Sequence, residues 1–180
     1  IGMPPRIPAL DIISHSPDQT RRIGAQLSRL ARPGDVYLLR GPLGSGKTTL
    51  VQGIARGLEV EDYIQSPTFV LAMEHAGHLP DETPVRLYHI DLYRLEEPGE
   101  FATFGLMDYL DDPEGIVVIE WPERVALDVF EQFLLIDLEF VADTKRRLAF
   151  YPSGERYQRL VDRLRAEVAG GRRRPAAPGD

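Results

Sequence analysis

The run Gly41-Pro42-Leu43-Gly44-Ser45-Gly46-Lys47-Thr48 constrains this chain more than any other feature. It matches G-x-x-x-x-G-K-[ST] in full, a pattern that works only where a strand ends and a helix begins. Val36 to Leu39 is a compact apolar run between a Pro-Gly turn and the glycine-rich stretch, which reads as a buried strand. Lys47 to Leu58 reads as a helix that stops near Gly57. The glycines let backbone N–H groups turn inward around phosphate oxygens, and the helix offers its unpaired N-terminal donors to the same anion. In this arrangement Lys47 reaches the β- and γ-phosphates and the Thr48 hydroxyl ligates magnesium. The loop from Gly41 to Thr48, with Leu43, Gly44, Ser45, Gly46 and Lys47 inside it, is the expected seat of a nucleoside triphosphate.

The remaining pattern supplies a frame for such a loop. Ser16-Pro17-Asp18-Gln19 has the form of a helix N-cap with proline at the first position, and Ile23, Leu27 and Leu30 follow at helical spacing until Arg32-Pro33-Gly34. Thr68 to Met73 and Val85 to Leu92 read as strands separated by a polar, turn-like stretch, Glu74 to Glu82. Pro98 to Leu110 looks helical apart from Gly105. Ile116 to Ile119 is a strand with the aliphatic run of one covered on both faces. Leu134 to Val141 and Arg147 to Tyr151 make a late hairpin, and Glu155 to Val168 a terminal helix. Interleaved strands and helices predict an α/β, phosphate-loop NTPase-like fold with a mostly parallel central sheet, flanking helices and a late antiparallel hairpin. At 180 residues the chain is expected to hold one such domain, 16–169, behind a Pro-rich lead, 1–15, and ahead of a disordered tail, 170–180. Ile1-Gly2, ahead of Met3, read as a cloning remnant.

A phosphate loop needs an acid at the end of a neighbouring strand, to hold magnesium or its water shell and to orient the attacking water. Asp91 and Glu120 each end a predicted strand, and in an open α/β sheet those carboxyl ends face the ligand crevice. Either can fill the role. Ser66-Pro67 forces an extended entry to Thr68, whose hydroxyl is then placed to swing toward the γ-phosphate and magnesium as switch threonines do. His75 and His78 sit in a polar stretch without further ligands at metal spacing, and Trp121 after Glu120 reads either as packing or as a rim aromatic.

Composition narrows the function. Ras-type GTPases read guanine with an Asn-Lys-x-Asp loop, and this chain has no asparagine, so ATP is the expected nucleotide. With a formal charge of -7, the protein lacks the positive field that holds a nucleic-acid backbone unaided. It has no cysteine, which excludes disulfides, thiolate metal sites and a cysteine nucleophile, and fits a cytoplasmic home. No apolar stretch reaches the roughly 20 residues that cross a bilayer. The chemistry left open is ATP hydrolysis, a nucleotide-gated binding module, or phosphoryl transfer to a small molecule.

Four blocks together resemble the TsaE (YjeE) family: Leu39-Arg40-Gly41-Pro42-Leu43-Gly44-Ser45-Gly46-Lys47-Thr48-Thr49, Ser66-Pro67-Thr68-Phe69, Tyr88-His89-Ile90-Asp91-Leu92-Tyr93-Arg94 and Ile119-Glu120-Trp121-Pro122-Glu123. The first block is generic; the other three, in this order, are specific. The resemblance implies a bacterial ATPase required for the threonylcarbamoyl modification (t6A) of adenosine 37 in tRNAs that read codons beginning with A. It implies work with TsaD and TsaB, and contact with tRNA only through them. It further implies nucleotide contacts from Leu43 through Thr48 and Thr49, magnesium on Thr48 and Glu120, and Asp91 as the aspartate of the nucleotide site. Ser16 to Thr20 matches a stretch near the base, and one of Lys145, Arg146 or Arg147 a late basic nucleotide contact, with Arg146 the central choice. Two positions depart from the family pattern: Pro42 stands where an acidic residue is frequent, and Asp143-Thr144-Lys145 where a Gly-Arg pair is common.

Overall fold

In the computed structural model, which describes residues 7–65, 72–95 and 105–170 except for the side chain of Leu127, the first element among these residues is a strand. This is β1 (Leu10–Ser14), followed by helix α1 (Pro17–Arg29) and strand β2 (Val36–Arg40). Helix α2 (Lys47–Gly57) leads to β3 (Ala72–His78) and β4 (Pro84–Asp91). A short helix α3 (Leu106–Leu110) precedes β5 (Gly115–Glu120), two single 3-10 turns, the hairpin β6 (Phe133–Phe140) and β7 (Arg146–Ser153), and the closing helix α4 (Glu155–Gly170). The seven strands among the described residues share one sheet in the order β1-β7-β6-β2-β5-β4-β3.

The α/β class holds, and the sheet is mixed. β6, β2, β5 and β4 run parallel through the middle, while β1 and β7 on one side and β3 on the other pair antiparallel. Burial follows the pleat: in β2, Tyr37 and Leu39 face one core with α1, α2 and α4, while Val36 and Leu38 face the other with α3. Ile116 and Val118 in β5 likewise alternate with Val117 and Ile119, so the aliphatic run reflects two covered faces. The first helix starts as expected, with Ser16 Oγ accepting the Gln19 N–H at 3.1 Å. The α4 helix is tied to the start of β2: the Tyr157 hydroxyl accepts the Val36 N–H at 2.8 Å, and Arg156 pairs with Asp35 at 2.8 Å. Burial pushes the Tyr157 phenol up to about 12.

Two details differ from the sequence reading. Leu10 to Ser14, read as part of a lead, is an edge strand registered on Arg146 to Phe150 of β7. Its neighbouring prolines masked a short alternation in which Ile12 and Ser14 point inward. Glu74 to His78, read as turn-like, continues β3, because an antiparallel edge strand needs only one buried face and here hides His75 and Gly77 while Glu74, Ala76 and His78 stay out. Gly105, excepted from the helical reading of Pro98 to Leu110, caps α3 with φ 76°; residues 98–104 lie outside the described residues, as do 66–71 and 171–180.

Where β4 and β5 begin, Arg86 makes a two-pronged ion pair with Asp112, Nε and Nη2 each at 2.7 Å, and the Tyr88 hydroxyl donates to the same carboxylate at 2.5 Å. These partners hold the Asp112 carboxyl well below the ordinary carboxylate range. A depressed folded-state pKa stabilises the fold above the unfolded value of about 4 and loses that contribution as the pH falls toward the folded one. Asp112→Asn is therefore expected to melt below wild type at pH 7, the gap closing only in strong acid; a gap that is the same at pH 7 and in strong acid would contradict it.

Candidate functional site at the carboxyl ends of the central strands

The register of the sheet brings the predicted parts together. Leu39 and Asp91 both stand opposite Glu120, so the phosphate loop after β2, Glu120 at the end of β5 and Asp91 at the end of β4 meet at one edge. This is the carboxyl-terminal edge where open α/β sheets bind ligands.

The loop holds its shape through its glycines. A Cβ on Gly41 would lie 2.4 Å from the Leu138 carbonyl oxygen, so the backbone there approaches β6 too closely for any side chain. Gly46 caps α2 at φ 101°, a left-handed conformation that turns the chain into the helix with its first amides facing the loop. Lys47 is 5% exposed, and its ammonium donates to the carbonyl of Gly41, to that of Pro42 at 2.9 Å and to Ser45 Oγ at 3.5 Å. It also stands 4.5 Å above the Trp121 ring. Burial pulls the Lys47 pKa below that of a free lysine, and the nearby charges of Glu120, Asp91 and Glu123 oppose that shift. A lysine held in this way is a cation fixed at the mouth of a donor-lined loop.

Beside it lies an oxygen cluster. Thr48 Oγ1 donates to Glu120 Oε1 at 3.3 Å and lies 3.5 Å from Oε2. Glu120 is 2% exposed and takes a second hydrogen bond from His89 Nε2 at 2.5 Å. A hydroxyl and a carboxylate at this separation are the hard oxygen donors that magnesium accepts, with phosphate oxygens and water completing its shell. Among the described residues no cluster of three or more His, Cys, Asp or Glu side chains has the arrangement of a self-sufficient metal site. Asp91 sits further out, accepting the Tyr93 N–H at 2.9 Å; burial raises its pKa, and the neighbouring Glu120 charge adds to the rise. The acid that touches Thr48 is thus Glu120, with Asp91 one strand away.

Of the late basic residues, the structure brings Arg146 to the loop. Its Nε donates to the Gly44 carbonyl at 3.2 Å, Nη1 donates to the Ala142 carbonyl at 2.8 Å, and its guanidinium lies 4.6 Å from the Phe140 ring. Arg147 points the other way, to Asp11 at 2.6 Å and Glu139 at 3.4 Å. Ser14, opposite Arg146 in the β1–β7 register, bonds Thr20 Oγ1 at 2.7 Å, so the Ser16 to Thr20 segment lies along the same side. Thr68 and the rest of Ser66 to Phe69 lie outside the described residues. His75 is buried and meets Asp62 at 2.9 Å, fastening the segment after α2 to β3.

Two participants take definite places only in the structure. Trp121 turns back at φ 60°, which carries its ring over Lys47 and against Tyr93 at 5.0 Å between centroids. His89 stood in a strand and in one of the family-like blocks without a role; the available signal was a histidine two residues before Asp91, on the strand face that also carries Val85 and Leu87.

A mixed sheet between helical layers, with a phosphate loop joining β2 to α2 and acids at the ends of β4 and β5, defines an α/β protein of the phosphate-loop NTPase-like class. The family model described as "Threonylcarbamoyl adenosine biosynthesis protein TsaE" matches residues 14–148. The chain belongs to the TsaE family. It is 35% identical over 150 residues to the tRNA threonylcarbamoyladenosine biosynthesis protein TsaE of Bacillus subtilis, covering 83% of this chain and 89% of that one. The same-named protein of Mycobacterium bovis is 39% identical over 141 residues, 76% of this chain and 83% of the relative. A solved structure described as that of YdiB from Bacillus subtilis superposes with a TM-score of 0.66 at 29% identity, covering 88% of this chain and 95% of that one. No helix among the described residues is long and apolar enough to cross a membrane.

Proposed function

We propose that this protein is a slow, magnesium-dependent ATP hydrolase that serves t6A formation at position 37 of tRNAs, acting with TsaD and TsaB in the cytoplasm. The observation that carries the reading is the approach of Thr48 Oγ1 to Glu120 at 3.3 Å beside the buried Lys47. It joins the two protein ligands a phosphate-bound magnesium needs to the cation that meets the phosphates.

In this reading the loop amides from Leu43 to Thr49 and the Lys47 ammonium bind the β- and γ-phosphates. The Thr48 hydroxyl and Glu120 carboxylate hold magnesium, which when bound draws off charge developing on the phosphate oxygens. Asp91, one strand over and beside Tyr93, orients the water that attacks the γ-phosphorus, giving ADP and phosphate. Thr68 supplies a switch hydroxyl for the γ-phosphate, and Arg146, anchored on the Gly44 carbonyl and Phe140, borders the nucleotide on the hairpin side. The net charge of -7 fits a protein that meets tRNA through its partners.

Glu120→Ala is expected to lower ATP turnover in the presence of TsaD, TsaB and magnesium by about 100-fold or more, the scale of losing one directed stabiliser of the transferring group. Turnover measured as released phosphate checks this, and unaltered turnover removes Glu120 from the role. Phosphate recovered on a small-molecule acceptor instead of in water would make the protein a kinase. Equal affinity for the TsaD–TsaB pair with a non-hydrolysable ATP analogue and with ADP would rule out a nucleotide-gated docking module.

A further inference from the structure

His89 lies in the middle of the site and has no place in the mechanism above. It occupies β4 two residues before Asp91, is fully buried, and is flanked along the strand by Tyr88 and Ile90. A purely packing role at such a position is better filled by valine or isoleucine, which leave no polar atom behind. This imidazole does leave one: Nδ1 is buried without a hydrogen-bond partner among the described residues, while Nε2 meets Glu120 Oε2 at 2.5 Å. One nitrogen is left unsatisfied and the other is spent on a single oxygen of the candidate magnesium ligand.

The bond's direction follows from its partners. A carboxylate accepts, so Nε2 carries the hydrogen, and Nδ1 is the bare acceptor left without a donor beside it. Glu120 is a flexible side chain whose carboxylate rotates freely about its last bond unless something holds it. With Oε2 held by His89, Oε1 is the oxygen left toward Thr48 Oγ1, at 3.3 Å. Glu120 is registered opposite Asp91, and His89, two residues earlier on the same face of the neighbouring strand, is placed to reach its carboxylate.

We propose that His89 is a positioning residue: its Nε2–H holds Glu120 Oε2 and thereby aims the remaining oxygen at the cation that the Thr48 hydroxyl also meets. The proposal rests on the magnesium-ATP reading of the site and adds a partner behind the ligand, of the kind that orients ligating carboxylates elsewhere. It requires of residue 89 only a hydrogen-bond donor at that point in space.

The test compares two side chains of similar length and shape in the full chain. Glutamine places an amide N–H near the position of Nε2, whereas methionine fills the space without a donor. Affinity for a fluorescent ATP analogue is measured for wild type, His89→Gln and His89→Met, each with magnesium and with EDTA, alongside the melting temperature without nucleotide. The expected result is that all three bind alike in EDTA. The gain in affinity on adding magnesium persists in His89→Gln and falls about 10- to 100-fold in His89→Met, the scale for losing an outer partner of a metal ligand. Equal magnesium gains in the two variants would overturn the proposal, as would loss of the gain in a His89→Gln that melts like wild type. If His89→Met does not fold, His89→Gln against wild type decides. Nitrogen-15 spectra of the imidazole in nucleotide-free protein supply a readout that needs no magnesium: the Nε2–H tautomer is expected, and Nδ1–H refutes the bond. A wild type that shows this tautomer but gains nothing from magnesium would instead sink the magnesium-ATP reading itself.

Discussion

Lys47→Ala is expected to weaken ATP binding by about 100- to 1,000-fold. Two charge-assisted hydrogen bonds to phosphate oxygens, at about 1.5–2 kcal/mol each, amount to about 3–4 kcal/mol, or two to three powers of ten. The lower half of the usual range applies because the ammonium must leave partners it already has, the carbonyls of Gly41 and Pro42 and the ring of Trp121. The same contacts provide the assay. Trp121 is the chain's single tryptophan, and Lys47 Nζ lies 4.5 Å from its ring, so nucleotide that draws the lysine away alters tryptophan emission in wild type and leaves the variant's unchanged. The variant is expected to fold, since what it loses is a cap on two loop carbonyls at the protein's edge. An affinity within threefold of wild type would show that the loop does not hold phosphate through Lys47.

The second large effect lies behind the loop. Gly53, on the face of α2 turned to α1, has no room for a methyl group: a Cβ would lie 2.1 Å from the Arg21 carbonyl oxygen and 2.6 Å from Arg21 Cα. Gly24 on α1 makes the reciprocal approach, 2.5 Å from the Leu50 carbonyl oxygen. Both obstacles are backbone, which cannot rotate aside as a side chain tip can. Helix propensity alone favours Gly53→Ala by about 1 kcal/mol. Separating two packed helices costs about 3 kcal/mol, the upper part of the usual overpacking range. The clash wins, and the variant is expected to be destabilised by about 2 kcal/mol, lowering the melting temperature by about 4–8 °C in a chain of this size. Gly170→Ala, where a Cβ would meet nothing within 4 Å, is the matched control and is expected not to lose stability. Because α2 begins at Lys47, pushing it off α1 also moves the lysine, so Gly53→Ala is expected to weaken nucleotide binding as well. A variant as stable as wild type would mean that the two helices are free to separate at no cost.

Much of this site was legible in the chain because the signals are local. The glycines at positions 41, 44 and 46, the lysine behind them and the apolar run before them specify a strand, a tight loop and a helix within a few residues of one another. Glu120 and Asp91 were legible as strand ends for the same reason. What sequence spacing left open was which acid meets Thr48. That depends on the stagger of β2, β5 and β4 and on side-chain direction, and the structure puts Glu120 at 3.3 Å and Asp91 beyond it. The late basic contact was ambiguous for a similar reason. Adjacent residues on a strand point to opposite faces, so Arg146 and Arg147, indistinguishable in composition, part company toward Gly44 and Asp11 respectively. The edge strands were read poorly, β1 as a lead and the second half of β3 as a turn. A strand covered on one face carries only a weak alternation, easily masked by prolines before Leu10 and by histidines and glycine in His75 to His78.

By itself, then, the sequence determined that this protein is built around a phosphate loop in an α/β frame, and its blocks pointed to the TsaE family, since both are properties of residues close together in the chain. Only the tertiary structure decided that the Glu120 carboxylate lies between Thr48 and a buried histidine, and that Lys47 rests against Trp121. It alone decided, too, that Gly24, Gly53 and Gly57 let α1 and α2 touch. These are meetings of residues separated by tens of positions, set by strand register and close packing, and no local preference encodes where such partners arrive.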